Sequence, residues 1–548
     1  MATYSHYGKM SSSSRKSNFK LTALESFSGG LNMRADQFNL APNESPDLLN
    51  VIVDPRGGIK QRDGVDRRNS TPLSADVKGM WAFHLTSGTT ALSTANAVMV
   101  NYDTKIGWST ADNFKELTGM TARTAGSKVY GITMNDVMYA VSYDKPSFKW
   151  DGVSSSGAAD LGATLDGTTG NMPQGKYIAM WNNFAWVAHT YESGTAHRSR
   201  LRWSKQNDPE SWEAADYVDI DVGEHGDYIT GLAAYGDRLV VFKSNSTYAV
   251  FGFDSDSFQV VLQSASVGMT PDSTPAVSPN GVFFWAAQEG VYLYNGQQFV
   301  YLFTKLFPGI TQNKITFDTA PELAWGDNRV YVSVDWTEGA TTTRRTLIYD
   351  PTLGEAGAWV LTDIDAGPLL SYRPPNERAK VLGGCVANTG SVIDLDDDSD
   401  RMTDRYTAST ETHITSYFVT PWLVGSDPIT KKRWGKPRFI TLADETMTMS
   451  IQVYKDYDRS EVAKTIPITV TGRASSSKWG TAKWNDSDPD SAYYAAWDAV
   501  TASLTADVIR LPTLGTAQSI SMKVNGPTTN KHWEINAMAF TYNPRRLR

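Results

Sequence analysis

A zinc site, an activated nucleophile or a calcium loop each needs particular side chains at a particular spacing, and this chain offers few candidates. Its histidines are His6, His84, His189, His197, His225, His413 and His532, and only His189 and His197 form even a loose pair. With Cys385 as the single, distant cysteine, tetrahedral zinc has no framework. Cys385 follows Gly383 and Gly384 and reads as a small core residue rather than a nucleophile. Ser26, in SFSGG, lacks the strand–turn–helix setting of a hydrolase serine, and no GxSxG elbow, phosphate loop or GxGxxG fingerprint occurs. Asp394, Asp396, Asp397, Asp398 and Asp400 could offer oxygens to calcium. They lack the central Gly and terminal Glu of an EF-hand, so they read as a solvated acidic linker. The stretch SKQNDPESW, Ser204 to Trp212, approaches the Asp-box turn of sialidase propellers. Its Asp comes too late and its Gly is missing, which leaves a surface turn closed by an aromatic residue. No residue is therefore assigned to catalysis, to a cofactor or to a metal, and the chain is expected not to be an enzyme.

The elements that would hold any site are β-strands. Aromatic residues make up 11% of the 548 residues, and 43 Gly and 24 Pro punctuate them, a turn-rich profile that suits β-structure. A chain of this length exceeds what one core usually serves, so two or three units are expected. No apolar run is long enough to span a bilayer, and the first twenty residues contain no apolar signal core, so the protein is expected to be soluble and not exported by itself. One cysteine excludes an intrachain disulfide, which leaves stability to packing and assembly. Charge is uneven: Lys9, Arg15, Lys16 and Lys20 precede an acidic body, and Arg545, Arg546 and Arg548 follow it. With those seven cations set aside, residues 21–544 carry a net −15. Such a body does not grip nucleic acid by its phosphates, because that affinity comes from Lys and Arg.

Along the chain, the Ser-rich residues 1–19 read as a mobile arm. Ser45, Pro46 and Asp47 give a helix-start signal for one or two turns, and NVIVD, DPRGG and GIKQRDG then form a hairpin. From residue 76 a pattern repeats: strand, tight Asn/Asp/Gly turn, apolar strand, third strand ending on an aromatic. Copies occupy 127–152, 175–204, 228–252, 274–296, 322–351 and, more weakly, 381–396, with 77–103 as a further or first copy. Antiparallel units of this size stack radially into a β-propeller, here of about six blades, and the alternative is a β-sandwich of irregular hairpins. Met134, Met138, Trp181, Phe184, Trp186, Phe242, Phe283, Phe284 and Trp285 are then core residues. After the acidic run, longer alternating strands predict a β-sandwich-like domain. The expected division is 1–75 for arm, short helix and hairpin, 76–407 for the propeller, and 408–548 for the C-terminal domain.

The opening SFSGGLNMRADQFNLAPNESPDLLNVIVDPRGGIKQRDG resembles the start of the tail nozzle proteins of short-tailed bacteriophages, the tail tubular protein B-like group. ITGLAAYGDRLVVFKSNSTYAVFG, RWSKQNDPESW, GVFFWAAQEGVYLYNG and the ending WEINAMAFTYNPRRLR resemble that group too. The resemblance implies a virion structural protein assembled in the host cytoplasm: a homohexameric ring below an adaptor ring. Tail fibres or spikes would dock outside, and viral DNA would leave through the lumen without sequence-specific binding or membrane insertion. The rival readings are a receptor-binding or glycan-degrading tailspike, or a hub or stopper protein of a longer-tailed phage.

Overall fold

The computed structural model describes residues 20–36, 38–85, 96–110, 113–153, 157–222, 227–287, 289–353, 357–374, 378–395, 402–407, 410–425, 427–442, 446–470 and 507–544. The mobile arm expected over residues 1–19, the acidic residues Asp396 to Asp400 and the basic end Arg545 to Arg548 lie outside the described residues.

The Asn/Asp pairs read from sequence fold as two-residue hairpin turns. Met134 pairs with Val137 around Asn135 and Asp136, Trp181 with Phe184 around Asn182 and Asn183, and Gly326 with Arg329 around Asp327 and Asn328. All six turn residues hold φ between 45° and 63°, the left-handed geometry that matches strand twist and that Asn and Asp tolerate best. Each hairpin grows into an antiparallel sheet whose strands are ordered as in the chain. Five such four-stranded sheets cover 77–117, 130–160, 174–219, 229–264 and 276–301, and a five-stranded one covers 315–362. The seventh joins Leu369–Tyr372, Lys380–Gly384 and Val392–Asp394 to Asp66–Arg67 from the N-terminal segment.

One strand of each sheet, the first except in blade 6, packs beside the corresponding strands of its neighbours. Val77–His84 lies against Tyr130–Met134, then come Gln174–Trp181, Ile229–Tyr235, Ala276–Ser278, Glu322–Gly326 and Leu369–Tyr372, which returns to Val77–His84. This closed circuit is a seven-bladed β-propeller. The expectation of about six blades is corrected by one, because the segment 77–103 belongs to blade 1. Closure uses the borrowed strand: Ile393 pairs with Arg67 and Asp394 with Asp66. The buried Asn69 secures it, donating its amide to Gly390 O (2.8 Å) and accepting from Val392 N (2.9 Å). Between blades the core is aromatic. Trp81, Phe83, Trp108, Phe148 and Trp150 join blades 1 and 2, and Val77, Tyr102, Tyr372 and Leu382 join blade 1 to blade 7. Each such side chain stabilises the fold by about 1.5–3 kcal/mol on burial. Met134, Met138, Trp181, Phe184, Trp186, Phe242, Phe283, Phe284 and Trp285 are all buried.

Apart from two short two-stranded pairs, the remaining strands form two further sheets. The larger orders Asp507–Arg510, Arg438–Leu442, Glu534–Pro544, Lys432–Trp434 and Gly515–Ala517, and adds Lys20–Leu24, Ile59–Gln61 and Val51–Val53. The smaller orders Leu48–Leu49, Tyr417–Val419, Ile520–Asn525, Met447–Lys455 and Lys464–Val470. Inward residues of both, Phe439, Met538 and Phe540 from one, Ile451, Met522 and Val524 from the other, share one hydrophobic cluster. The hairpin over 51–61 forms as read, around the Asp54–Gly58 turn. The helix expected after Ser45 does not. Leu48 and Leu49 pair instead with Phe418 and Tyr417, and the Ser45 hydroxyl, which accepts from Asp47 N at 3.3 Å, lies 2.8 Å from Val419 O with no helix to cap. Tertiary pairing overrides the local signal, which is worth only about 1 kcal/mol. The N-terminal segment thus supplies strands to both units.

One side chain ties these parts together. Arg62, fully buried, binds both oxygens of Asp404 (2.7 and 2.6 Å), Asp363 (2.9 Å), Asn50 Oδ1 (2.9 Å) and Asp63 O (3.0 Å). It links the hairpin, the last strand of blade 6 and the segment leaving the propeller.

Candidate functional site

The inner strands of all seven blades run side by side around the propeller axis, so side chains at their starts converge on one axial mouth. Blades 2 and 3 enter with a tyrosine at the same distance from the hairpin turn, Tyr130 and Tyr177, preceded by Lys128 and Lys176, and blade 6 enters with Glu322. The Lys128 ammonium donates to Glu322 Oε1, to Thr274 Oγ1 (2.8 Å) and to Asp272 O (3.0 Å). Lys176 pairs with Asp272 Oδ1 at 2.7 Å. Blades 2 and 6 are not neighbours in the ring, so the Lys128–Glu322 contact spans its centre. The axis is bridged at this end by the pair.

Below the bridge lies a cleft of about 310 Å³, lined by Tyr130, Tyr177, Met180, Leu232, Pro275 and Val277 among others. Lys128 sits 5.1 Å from the Tyr130 ring centre and Lys176 5.7 Å from that of Tyr177, and the two rings lie 5.3 Å apart. Among the described residues, the buried Tyr130 hydroxyl and the second oxygen of Glu322 have no hydrogen-bond partner. Burial raises both phenols well above their ordinary range, with Tyr177, Glu322 and Asp272 adding to the effect on Tyr130, and Asp272 to that on Tyr177. They stay protonated, so neither serves as a nucleophile or a base. What this site does chemically is close the axis with charge pairs and hold phenols in an apolar cleft.

The residues singled out from sequence fall elsewhere. His189 sits at a bulge between Ala188 and Thr190 with φ of 56°, and His197 lies opposite Thr190 on the next strand. Burial brings His189 down to about 4, and its Nδ1 lies 3.2 Å from Ile229 O, so the neutral ring donates there. That hydrogen bond and ring contacts with Tyr143, Tyr177 and Tyr228 make it a packing residue beside the axial cleft. Cys385 is buried, and burial raises its thiol well above normal, aided by Asp365. Ser26 Oγ donates to Ser28 Oγ at 3.0 Å and accepts from Ser28 N. Asp394 ends the third strand of blade 7, its backbone paired with Leu382 and Asp66. The Ser204 to Trp212 turn packs as a structural plug: Trp212 is buried with its indole donating to Pro209 O (2.8 Å), and Glu210 takes Lys149 (2.7 Å) and Tyr139 (3.0 Å) from blade 2. Among the described residues, no group of His, Cys, Asp and Glu could hold a metal ion, and no helix is long and apolar enough to cross a membrane. Sequence reading missed the axial cluster. Its one visible signal was a Tyr at the same point of two successive repeats with a Lys one or two residues before it.

No family model matches the chain, and no curated protein matches it. Among solved structures it is similar to YCF48 bound to D1 peptide, at 9% identity and TM-score 0.39 over 64% of this chain and 99% of that one. It is also similar to the Neurospora crassa Pan2 WD40 domain (8%, TM-score 0.31, 63% and 99%) and to BBS1N in complex with ARL6DN (9%, TM-score 0.32, 66% and 99%). At such scores these likenesses carry no argument, and the propeller rests on its own strand pairing.

Proposed function

We propose that this chain is the structural subunit of a tail nozzle of a short-tailed bacteriophage, a ring of six copies whose shared lumen passes viral DNA. One observation carries the reading. The segment that holds most of the family resemblance, from SFSGG to QRDG, supplies strands to both sandwich sheets and anchors Arg62, and it runs directly into Asp66–Arg67, the strand that closes blade 7. Residues resembling a nozzle opening are therefore the ones that weld propeller and sandwich into a single block, as a load-transmitting ring component requires. The bridged axis fits too. A conduit for DNA in this reading runs between subunits and not through any one propeller. The adaptor ring and fibres or spikes are the partners the reading implies, with the virion tail as location and no enzymatic activity.

Native mass measurement of the purified protein, alone and with the adaptor ring, tests this. Six copies of the 60.3 kDa chain are expected. A threefold particle, or a monomer under both conditions, would overturn the reading. Release of reducing sugar from host polysaccharide, lost on mutating a carboxylate of this chain, would favour the tailspike instead.

A further inference from the structure

The molecule is electrically lopsided. Residues 76–407 hold 24 Lys and Arg against 39 Asp and Glu, whereas residues 1–75 and 408–548 together hold 27 against 20. The propeller is thus acidic and the rest of the chain, sandwich included, is basic.

On the sandwich, the larger sheet turns a defined face outward. In strand Glu534–Pro544, Met538, Phe540 and Tyr542 are buried, so Ala539, Thr541 and Asn543 point away from the core. Register places Arg438 beside Ala539, Leu21 beside Thr541 and Arg433 beside Asn543. Arg438 in turn lies directly opposite Arg510, with Val508 two residues away on the same face. Like charges directly opposite across strands repel, and neither arginine has an ion pair among the described residues. On the same face Leu21, across strand Glu534–Pro544 from Arg438, is 66% exposed, and Val508 is 49% exposed. A face that keeps two opposed cations beside bare apolar side chains is suited to an acidic, partly apolar surface.

The propeller has such a surface on blade 4. Its outermost strand, Gln259–Ser264, is a sheet edge with Val261 and Leu262 exposed, and the loop before it carries Phe253, 82% exposed, next to Asp254 and Asp256. The loop is held open by its own bonds. Ser257 Oγ accepts from the N–H groups of Phe253 (3.0 Å) and Asp254 (3.1 Å), Asp254 Oδ1 accepts from Ser257 N (2.9 Å), and Asn182 donates to Phe253 O (2.9 Å). The backbone carrying Phe253 is thereby fixed with its ring in solvent.

We propose that these two surfaces are the halves of a head-to-tail contact between copies of this chain: the rim of blade 4 on one copy docks on the outer face of the larger sandwich sheet of the next. Asp254 and Asp256 neutralise Arg438 and Arg510, while Phe253, Val261 and Leu262 cover Leu21 and Val508. Two different patches meeting in this way give a heterologous interface, which closes into a ring when the rotation allows. The inference rests on the ring reading above and names the surface that makes the ring.

The test is assembly of the full chain by sedimentation and native mass, for wild type, Arg438→Glu with Arg510→Glu, Asp254→Lys with Asp256→Lys, all four changes together, and Phe253→Ser. Each charge reversal and Phe253→Ser should raise the concentration for half-assembly by at least about tenfold, equivalent to about 1.4 kcal/mol. The fourfold variant should recover most of that loss. A wild type that assembles while both reversals assemble equally well refutes this contact and leaves the ring reading standing, whereas a wild type that never assembles refutes both. Normal assembly of the arginine reversal together with lost retention on immobilised DNA would assign the basic face to nucleic acid and overturn the proposal. Circular dichroism of each variant confirms that exposed substitutions have left the fold intact.

Discussion

Replacing Arg62 with Met keeps the length of its stem and removes the guanidinium from the junction of hairpin, propeller and sandwich. What remains is Asp404, whose side chain is 6% exposed and whose sole other described partner is Val65 N at 3.1 Å. Leaving one member of a buried ion pair uncompensated costs about 3–5 kcal/mol. Asp363 provides the control within the same network. Its side chain is 40% exposed, so Asp363→Asn gives up a solvated pair worth no more than about 1 kcal/mol. Combining Arg62→Met with Asp404→Leu removes both charges and should return most of the loss, because an apolar pair of similar size no longer buries an unpaired ion. Urea unfolding followed by tryptophan fluorescence and far-UV circular dichroism measures all three, with coincident transitions as the check on two-state behaviour. Equal costs for Arg62→Met and Asp363→Asn, or a double variant worse than the single, would refute the account of the weld.

His189 should make stability pH-dependent: unfolded it titrates near 6.5 and folded near 4, so between those values the unfolded chain binds more protons and stability falls as the pH falls. The loss reaches about 3 kcal/mol by pH 4, and His189→Asn, which tolerates the positive φ, should flatten that part of the melting-temperature profile. Across the propeller axis, Lys128→Met should cost about 3–5 kcal/mol because Glu322 is buried, whereas Lys176→Met should cost about 1 kcal/mol or less because Asp272 is half exposed; denaturation midpoints that rank them the other way would contradict the bridge. Cys385 should resist thiol reagents in the native state and react only after unfolding, given its burial and raised pKa; stoichiometric labelling of folded protein would show the site to be open.

Much of the propeller was legible because its turns are written in residue types with a steric reason to be there. Asn135-Asp136, Asn182-Asn183 and Asp327-Asn328 adopt the positive φ values that few other residues accept. The Asn/Asp spacing therefore marked blade after blade. Blade 7 was the weak copy, since its fourth strand, Asp66–Arg67, comes from more than three hundred residues upstream and leaves no local signal. The misread helix at Ser45 has the same origin: Leu48 and Leu49 are committed to Phe418 and Tyr417, a pairing that local propensity does not encode. At the axial mouth, Lys128 and Glu322 lie 194 residues apart. Their meeting depends on ring closure, which composition and periodicity do not specify.

The most direct test of the central claim is the image of the assembled particle, averaged by electron microscopy without imposed symmetry. The account predicts a sixfold ring with its lumen between subunits, and each propeller axis set off from that lumen and blocked by the Lys128–Glu322 bridge. A threefold spike, or a channel running through the propeller itself, would contradict it.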